Sequence, residues 1–184
     1  MKKRTFPKEA QDLAGRAEAA MRDGNYIRSL ALWDQVIEQV PEAASLRAGR
    51  ADALLQLGSV AEAMEEAQRA VEADEDYLPG HWVLALTAAQ LEQTARADRA
   101  FQRAVILSFG DGMIISEYAH FLAAQGDPGV AEEMALRAVR AAPGFAGAWA
   151  ALGYSQFRRE RACEAESNLK HALELDPHDG RAKA

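Results

Sequence analysis

One spacing dominates this sequence: related blocks of residues recur every 34 positions. The five blocks begin at residues 10, 44, 78, 112 and 146, and no insertion or deletion separates them. An unbroken period of this length indicates one supersecondary unit stacked on itself, because each copy buries its apolar face against the next. The chain divides into a basic arm (1–9), five repeats (10–43, 44–77, 78–111, 112–145, 146–179) and a tail (180–184).

Small side chains fill three columns of the repeat alignment, as expected where helices cross closely. These columns are Ala17, Ala51, Ala85, Ala119, Gly153; Ser29, Ala63, Ala97, Ala131, Ala165; and Val36, Ala70, Ala104, Ala138, Ala172. A fourth column mixes sizes: Trp33, Ala67, Phe101, Ala135, Leu169. We therefore predict that bulky side chains fill the space left by small ones.

The corner between the two helices of each repeat falls at Gly24, Gly58, Glu92, Gly126 and Glu160. Glycine favours a helix end in the left-handed conformation. The two corners that carry glutamate are therefore predicted to be built differently.

Helix starts are marked by polar residues. Asn25 is placed to cap the second helix of the first repeat, and Asp127 followed by Pro128 does the same in the fourth. Ser59 and Glu62 have the spacing of a capping box. The third repeat ends at residues 109–112 without the usual proline, so we expect a looser junction there.

The 34-residue period, Trp149-x2-Leu152-Gly153, the alanine columns and the prolines at 41, 143 and 177 together resemble the tetratricopeptide repeat. The resemblance implies an all-α, right-handed solenoid of five helix-turn-helix repeats, about ten helices, with no strand. Members of this family are mostly scaffolds, so it also implies a non-enzymatic, protein-binding adaptor. The first two repeats are the least typical, since Arg47 stands in the tryptophan column and Arg16 and Arg50 in the leucine column.

Composition narrows the range of partners. The formal net charge is −7, so phosphate backbones and anionic lipid surfaces should repel the chain. No segment approaches the roughly 18 apolar residues of a membrane span. Cys163 is the single cysteine and gives no indication of an oxidising compartment. We predict a cytoplasmic protein with no nucleic-acid partner and no membrane span.

The sequence gives little support for a catalytic function. The four histidines are scattered, and no metalloprotease motif, phosphate-binding loop or nucleophile elbow occurs. Glu117-x-x-His120 has the spacing of a di-iron ligand pair, but such a site needs a second pair and two more glutamates. We therefore assign no catalytic, cofactor-binding or metal-binding residue.

By resemblance, the first helix of each repeat faces a concave groove. In the first three repeats its inward positions are Gln11, Ala14, Glu18, Met21, Arg22; Ser45, Ala48, Asp52, Leu55, Gln56; and Pro79, Trp82, Leu86, Ala89, Gln90. The groove is small and acidic at its amino-terminal end and more apolar beyond. Apolar anchors dominate peptide binding, so the predicted docking surface for a peptide or helix of a partner protein is Trp82, Leu86, Met113, His120, Tyr154, Phe157 and Arg158.

The tetratricopeptide clamp for acidic chaperone tails requires lysines and an arginine at fixed inward positions. No window of three successive repeats offers a cation at any of them, so such tails are disfavoured. Arg16 and Arg50 need acceptors if they are buried, and Asp12, Glu18 and Asp52 are the candidates. The alternative is that their stems pack while their charged heads reach water.

A second functional hypothesis concerns the carboxy-terminal end. No polar capping helix is predicted after Pro177, so the last repeat would expose Leu169, Leu173 and Leu175. A homodimer formed through this face is one alternative, and an outer face polar enough to remain in water is another.

A further functional hypothesis is that the chain serves as the regulatory subunit of an enzyme encoded elsewhere.

Overall fold

The computed structural model describes residues 6–183 and is all-helical over that range, with no strand. Residues 1–5 of the predicted arm lie outside the described residues. The helices are α1 (Lys8–Arg22), α2 (Tyr26–Gln39), α3 (Ala44–Gln56), α4 (Val60–Ala73), α5 (Leu78–Gln90), α6 (Thr94–Leu107), α7 (Gly112–Gln125), α8 (Pro128–Ala141), α9 (Ala146–Arg158), α10 (Ala162–Leu175) and α11 (Gly180–Lys183). The predicted all-α repeat architecture is confirmed.

The helices form two compact units, and the division falls within α6. The N-terminal unit extends to Ala100, and the C-terminal unit begins at Phe101. In the N-terminal unit α1 packs on α2, α3 on α4, and α4 on α5. The first helices of its successive repeats also pack side by side, α1 on α3 and α3 on α5. The C-terminal unit repeats this pattern, with α7 packed on both α8 and α9, and α9 on α10.

Burial of the small columns confirms that they are helix-crossing points. Ala17, Ala63 and Ala70 are 0% exposed, and the other members of the three columns are likewise buried. A large side chain fills the space beside the glycine in the fifth repeat. A Cβ atom at residue 153 would lie 2.7 Å from Leu169 Cγ, so only glycine lets α9 and α10 approach this closely here.

All five corners adopt the left-handed conformation, so the prediction of a different geometry at the two glutamates is wrong. Gly126 has φ 96°, while Glu92 and Glu160 have φ 56° and 62°. The same backbone hydrogen bonds close the helix in each case. Gln93 N donates to Ala88 O at 2.8 Å, as Asp127 N does to Leu122 O at 3.1 Å. These bonds satisfy carbonyls that the helix end would otherwise leave unpaired.

Two of the three predicted caps are confirmed. Asn25 Oδ1 accepts from Arg28 N at 3.2 Å, and Asp127 Oδ1 accepts from Val130 N at 3.3 Å. Ser59 makes no side-chain cap hydrogen bond, so the capping box is wrong. Its position is fixed instead through the backbone, where Ser59 N donates to Leu54 O at 3.0 Å.

The junction at residues 109–112 is capped by a side chain in place of the missing proline. Asp111 Oδ1 accepts from Met113 N at 2.9 Å and from Ile114 N at 3.2 Å, which fixes the start of α7. Phe109 has φ 54° and is 99% exposed. The junction therefore presents an aromatic ring to solvent beside a well-defined helix start.

The carboxy-terminal segment differs from the expected tail. Gly180–Lys183 form the one-turn helix α11, which packs on α9 and α10 and buries Ala182. Asp179 Oδ1 accepts from Ala182 N at 2.9 Å at the start of this helix. The prediction that no helix follows Pro177 is therefore wrong. The physical reason is the period itself, since residue 180 lies 34 positions after the start of α9.

Candidate functional site

An open cavity of about 620 Å³ lies along α1, α3 and α5 of the N-terminal unit. It is of the size that holds small ligands and peptide side chains. Most of its lining comes from the predicted inward positions of the first three repeats: Gln11, Ala14, Glu18, Met21, Arg22, Ser45, Ala48, Asp52, Pro79 and Trp82. Side-by-side packing of the first helices brings these positions to one surface.

Three aromatic residues of the cavity lining were not predicted from the sequence: Phe6, Trp33 and Tyr77. None belongs to an inward position. Trp33 projects from α2 and reaches the cavity beside Gly49, where a Cβ atom would lie 2.6 Å from Trp33 Cζ2. The sequence did contain a signal for this contact, because Gly49 interrupts the first helix of the second repeat and the bulky Trp33 lies in the second helix of the first. Within residues 6–183, Trp33 Nε1 is buried without a hydrogen-bond acceptor.

Two carboxylates on this lining have no cationic partner within residues 6–183. Glu18 on α1 is exposed, and Asp52 on α3 is half-buried. Neither forms an ion pair with any residue of the described range, although Asp52 Oδ1 accepts from Gln56 Nε2 at 3.3 Å. Burial raises the pKa of Tyr77, and the negative charges of Glu18 and Asp74 raise this pKa further. The negative charges of Glu18 and Asp74 are therefore close enough to act on Tyr77.

The arginines at the atypical positions of the second repeat form ion pairs with a buried carboxylate on α4. Glu66 is 4% exposed and accepts from Arg47 at 3.0 Å and Arg69 at 2.5 Å, with Arg50 at 3.5 Å. Arg50 also pairs with Asp34 at 2.7 Å. The candidate partners Asp12, Glu18 and Asp52 were therefore wrong for Arg50, because the acceptors lie on α2 and α4. Arg16 is exposed, as the alternative interpretation expects.

The C-terminal unit brings three of the predicted docking residues together. The rings of His120 on α7 and Tyr154 on α9 lie 4.7 Å apart. Arg158 Nη1 donates to Tyr154 Oη at 3.3 Å, and its guanidinium carbon lies 6.0 Å from the Tyr154 ring centroid. Phe157 is 62% exposed and Met113 is 46% exposed. The other predicted residue, Leu86, belongs to the N-terminal unit, where it is half-buried and outside the cavity lining.

A second buried carboxylate, Glu132 on α8, ties together the corner between α9 and α10. It accepts hydrogen bonds from Arg159, from Arg161 at 2.6 Å and from Gln156 at 3.3 Å. Burial alone would raise the pKa of Glu132, but the hydrogen bonds from Gln156 and Arg159 and the charges of both arginines lower it. This cluster is a structural ion pair network and not a site with a free functional group.

The predicted dimer face is partly covered within the chain itself. Leu169 and Leu173 are half-buried and pack, with Trp149, against a cluster that contains Ala182 of α11. Leu175 is 40% exposed. The carboxy-terminal apolar surface is therefore smaller than the sequence predicts.

The described range lacks both a candidate metal cluster and a membrane-spanning helix. Residues 6–183 contain no group of three or more His, Cys, Asp and Glu side chains that could hold a metal ion. No helix of this range is long and apolar enough to cross a bilayer.

Comparison with known proteins agrees with the repeat architecture. The model of the tetratricopeptide repeat family matches residues 15–77 and 119–181. The chain is 31% identical over 102 residues to the protein SGT1 homolog of Oryza sativa subsp. japonica, a match that covers 55% of this chain and 28% of that protein. This chain therefore spans less than a third of the length of that relative.

Solved structures show the same fold. TTC0263, a tetratricopeptide repeat protein of Thermus thermophilus, superposes with a TM-score of 0.79 at 20% identity, over 95% of each chain. YrrB, described as a tetratricopeptide repeat protein with an unusual peptide-binding site, superposes with a TM-score of 0.71 at 23% identity, over 93% of this chain and 88% of that one. The family match extends over more than half of the sequence and includes both units, so the chain belongs to the tetratricopeptide repeat family.

Proposed function

We propose that this chain is a cytoplasmic protein-binding adaptor without enzymatic activity, and that the cavity of its N-terminal unit holds a peptide or helix of a partner protein. Tetratricopeptide repeat proteins generally mediate protein–protein interaction. The observation that carries the proposal is the convergence of ten inward positions from three successive repeats on one cavity of about 620 Å³. The peptide-binding site for which YrrB is described supports this use of the fold.

The composition of the cavity suits a bulky anchor from the partner. Trp82 is half-buried and lines the cavity. Met21 and Tyr77 are also half-buried and line the same space. Aromatic residues in partly desolvated positions supply much of the binding energy of protein interfaces. Trp82 is therefore the residue on which binding should depend most.

The C-terminal unit offers a second contact surface. His120, Tyr154 and Arg158 contact one another on α7 and α9, and Phe157 of α9 is exposed. Side chains that already contact one another lose less conformational entropy on binding than isolated ones. We assign this group to additional contacts with a partner protein.

The proposal is tested by capture of cytosolic proteins on the immobilised chain. Trp82→Ala should reduce the amount of specifically captured partner at least about tenfold, as expected when a central aromatic anchor is lost. Tyr154→Ala should weaken capture less. The matched control is Ile27→Ala on α2, which truncates a side chain that is 74% exposed and outside the cavity.

Folding must be monitored in the same preparations. The helical circular dichroism and the melting temperature of Trp82→Ala should stay close to those of the parent chain. Capture that survives both Trp82→Ala and Tyr154→Ala unchanged would show that partners bind elsewhere and would contradict the proposal.

A further inference from the structure

We propose that the N-terminal cavity selects cationic peptides, in which a lysine or arginine lies next to an apolar anchor. This inference rests on the proposed function and adds the chemical class of the partner. The anchor would contact Trp82, and the cation would meet Glu18 and Asp52.

The first argument for a cationic ligand is the charge of the residues that line the cavity. Glu18 and Asp52 project from neighbouring helices, α1 and α3, onto the same cavity, and Arg22 is the cation among its described lining residues. The sequence of the surrounding unit has the same sign, since residues 1–100 contain seventeen Asp and Glu and twelve Lys and Arg. Interfaces bring opposite potentials together, so the occupant should carry positive charge.

The second argument compares these two carboxylates with others of the same unit, which form ion pairs with arginine. Glu66 is held by arginines from α3 and α4, and Asp34 pairs with Arg50. Glu18 and Asp52, in contrast, form no ion pair with residues 6–183, although apolar side chains line the same cavity. Asp52 is half-buried, and a cationic ligand that paired with it would add a charge interaction that residues 6–183 do not supply. These two carboxylates are therefore the acceptors that a ligand can reach.

The wall beside them fits the shape of a basic side chain. Lysine and arginine have apolar stems that pack on apolar surface while their heads stay polar. Trp82, Met21 and Val83 line the cavity and give it an apolar surface for such a stem. A cation placed over an indole is attracted by the ring quadrupole. The cavity thus combines both elements that a lysine or arginine requires.

Selection from a random peptide library displayed on phage tests the inference, with the immobilised full chain as bait. Peptides are retained for analysis only if they bind the parent chain and fail to bind the Trp82→Ala variant. We expect these peptides to carry a net positive charge and an aromatic or long aliphatic residue. Their affinity should fall steeply with added salt, because the charges are near the surface.

Charge variants then identify the acceptors. For a selected peptide, Glu18→Gln with Asp52→Asn should weaken binding at least about tenfold, as expected when two interface charge partners are lost. Glu38→Gln with Glu65→Gln makes the same change in net charge at exposed residues outside the cavity and should leave affinity within about twofold. Glu18→Arg replaces an exposed side chain and should abolish binding without affecting the fold.

The outcomes separate the two proposals. The charge preference would be overturned if the Trp82-dependent peptides were neutral or acidic, or if substitution of Glu18 and Asp52 left their affinity unchanged. Either result would leave the proposed cavity as a binding site. A selection that yields no Trp82-dependent peptide at all would overturn the cavity as a binding site, and the charge preference with it.

Discussion

The indole ring of Trp33 lies directly against the backbone of Gly49, at a distance that leaves no room for a side chain on α3. A Cβ atom at residue 49 would come within 2.6 Å of Cζ2 and 2.7 Å of Cε2 of this ring. Gly15 occupies the same repeat position one period earlier, and a Cβ atom there would meet no heavy atom of residues 6–183 within 4 Å apart from its chain neighbours and the backbone of its own helix. The two glycines therefore have different physical roles.

This difference predicts opposite effects of the same substitution. Gly49→Ala should lower the free energy of unfolding by about 1 to 2 kcal/mol, because the steric cost of overpacking exceeds the gain in helix propensity. Gly15→Ala should raise it by about 0.5 to 1 kcal/mol, since alanine reduces the entropy of the unfolded chain. Urea denaturation followed by circular dichroism measures both values. A shift of the same sign in both variants would contradict the assignment.

The two glutamates in left-handed corners predict stabilising substitutions. Glu92→Gly and Glu160→Gly should each raise the free energy of unfolding by about 0.5 to 1 kcal/mol, because an L-residue is strained at positive φ and glycine is not. Gly126→Ala, at φ 96°, is the reverse control and should lower stability by a similar or larger amount. Thermal unfolding of the three variants checks the ordering, and a destabilised Glu92→Gly chain would argue against strain at that corner.

The network around Glu132 predicts a specific dependence of stability on pH. The pKa of Glu132 is lower in the folded chain than the value of about 4.3 expected when unfolded. The unfolded chain therefore takes up this proton first as the pH falls, and the folded state loses the stabilisation as pH decreases from about 4.3 through the folded pKa. Above that window the contribution is complete.

Glu132→Gln should accordingly lower stability at neutral pH and flatten the decrease of stability in acid. Glu133→Gln changes the exposed neighbour and should leave both the neutral value and the acid slope close to those of the parent chain. Denaturant midpoints measured from neutral pH to about pH 3 would reveal the difference, since this interval contains the ordinary titration of a carboxyl group. Parallel curves for parent and Glu132→Gln would exclude the network as the source.

The packing of the leucines on the carboxy-terminal face predicts that substitutions there lower stability. The sequence had suggested that they would change the oligomeric state. Leu173 packs against the cluster that includes Ala182, so Leu173→Glu should cost about 1 to 3 kcal/mol of unfolding free energy by placing a charge in apolar surroundings. Leu175→Glu, at a residue that is 40% exposed, should cost less than about 0.5 kcal/mol. Light scattering on the size-exclusion peak provides the second readout. A parent dimer that Leu175→Glu converts to a monomer would favour the self-assembly alternative.

Much of the fold follows from the sequence because the repeat constrains each column independently. Ala63, Ala97 and Ala131 occupy one repeat position at which two helices cross, and the side chain there must be small. Five copies of the same constraint allow the position to be recognised in the sequence. Asn25 and Asp127 were likewise predictable as caps, since a cap acts on amides only three residues away. Local rules and periodic rules can both be applied without knowing which residues meet in space.

The corners show where a propensity rule gave the wrong answer. Glu92 and Glu160 were expected to avoid the left-handed conformation because glycine adopts it at lower cost. The stacked helices fix both ends of the corner, and the closing backbone hydrogen bonds favour one geometry in every repeat. Tertiary packing therefore outweighs a local preference of about 1 kcal/mol.

The period, the capping residues and the small columns determined from sequence alone that the chain is a helical repeat protein, and the inward orientation of the first helices came only from the resemblance to the tetratricopeptide repeat. The tertiary structure decided which side chains reach the cavity from other elements, above all Trp33, and which charges remain available there. It also decided that Arg50 meets Glu66 and Asp34, leaving Glu18 and Asp52 without a cation in the described chain. The physical reason is that an ion pair depends on side chains of different helices meeting in space, whereas a repeat pattern specifies only one column at a time.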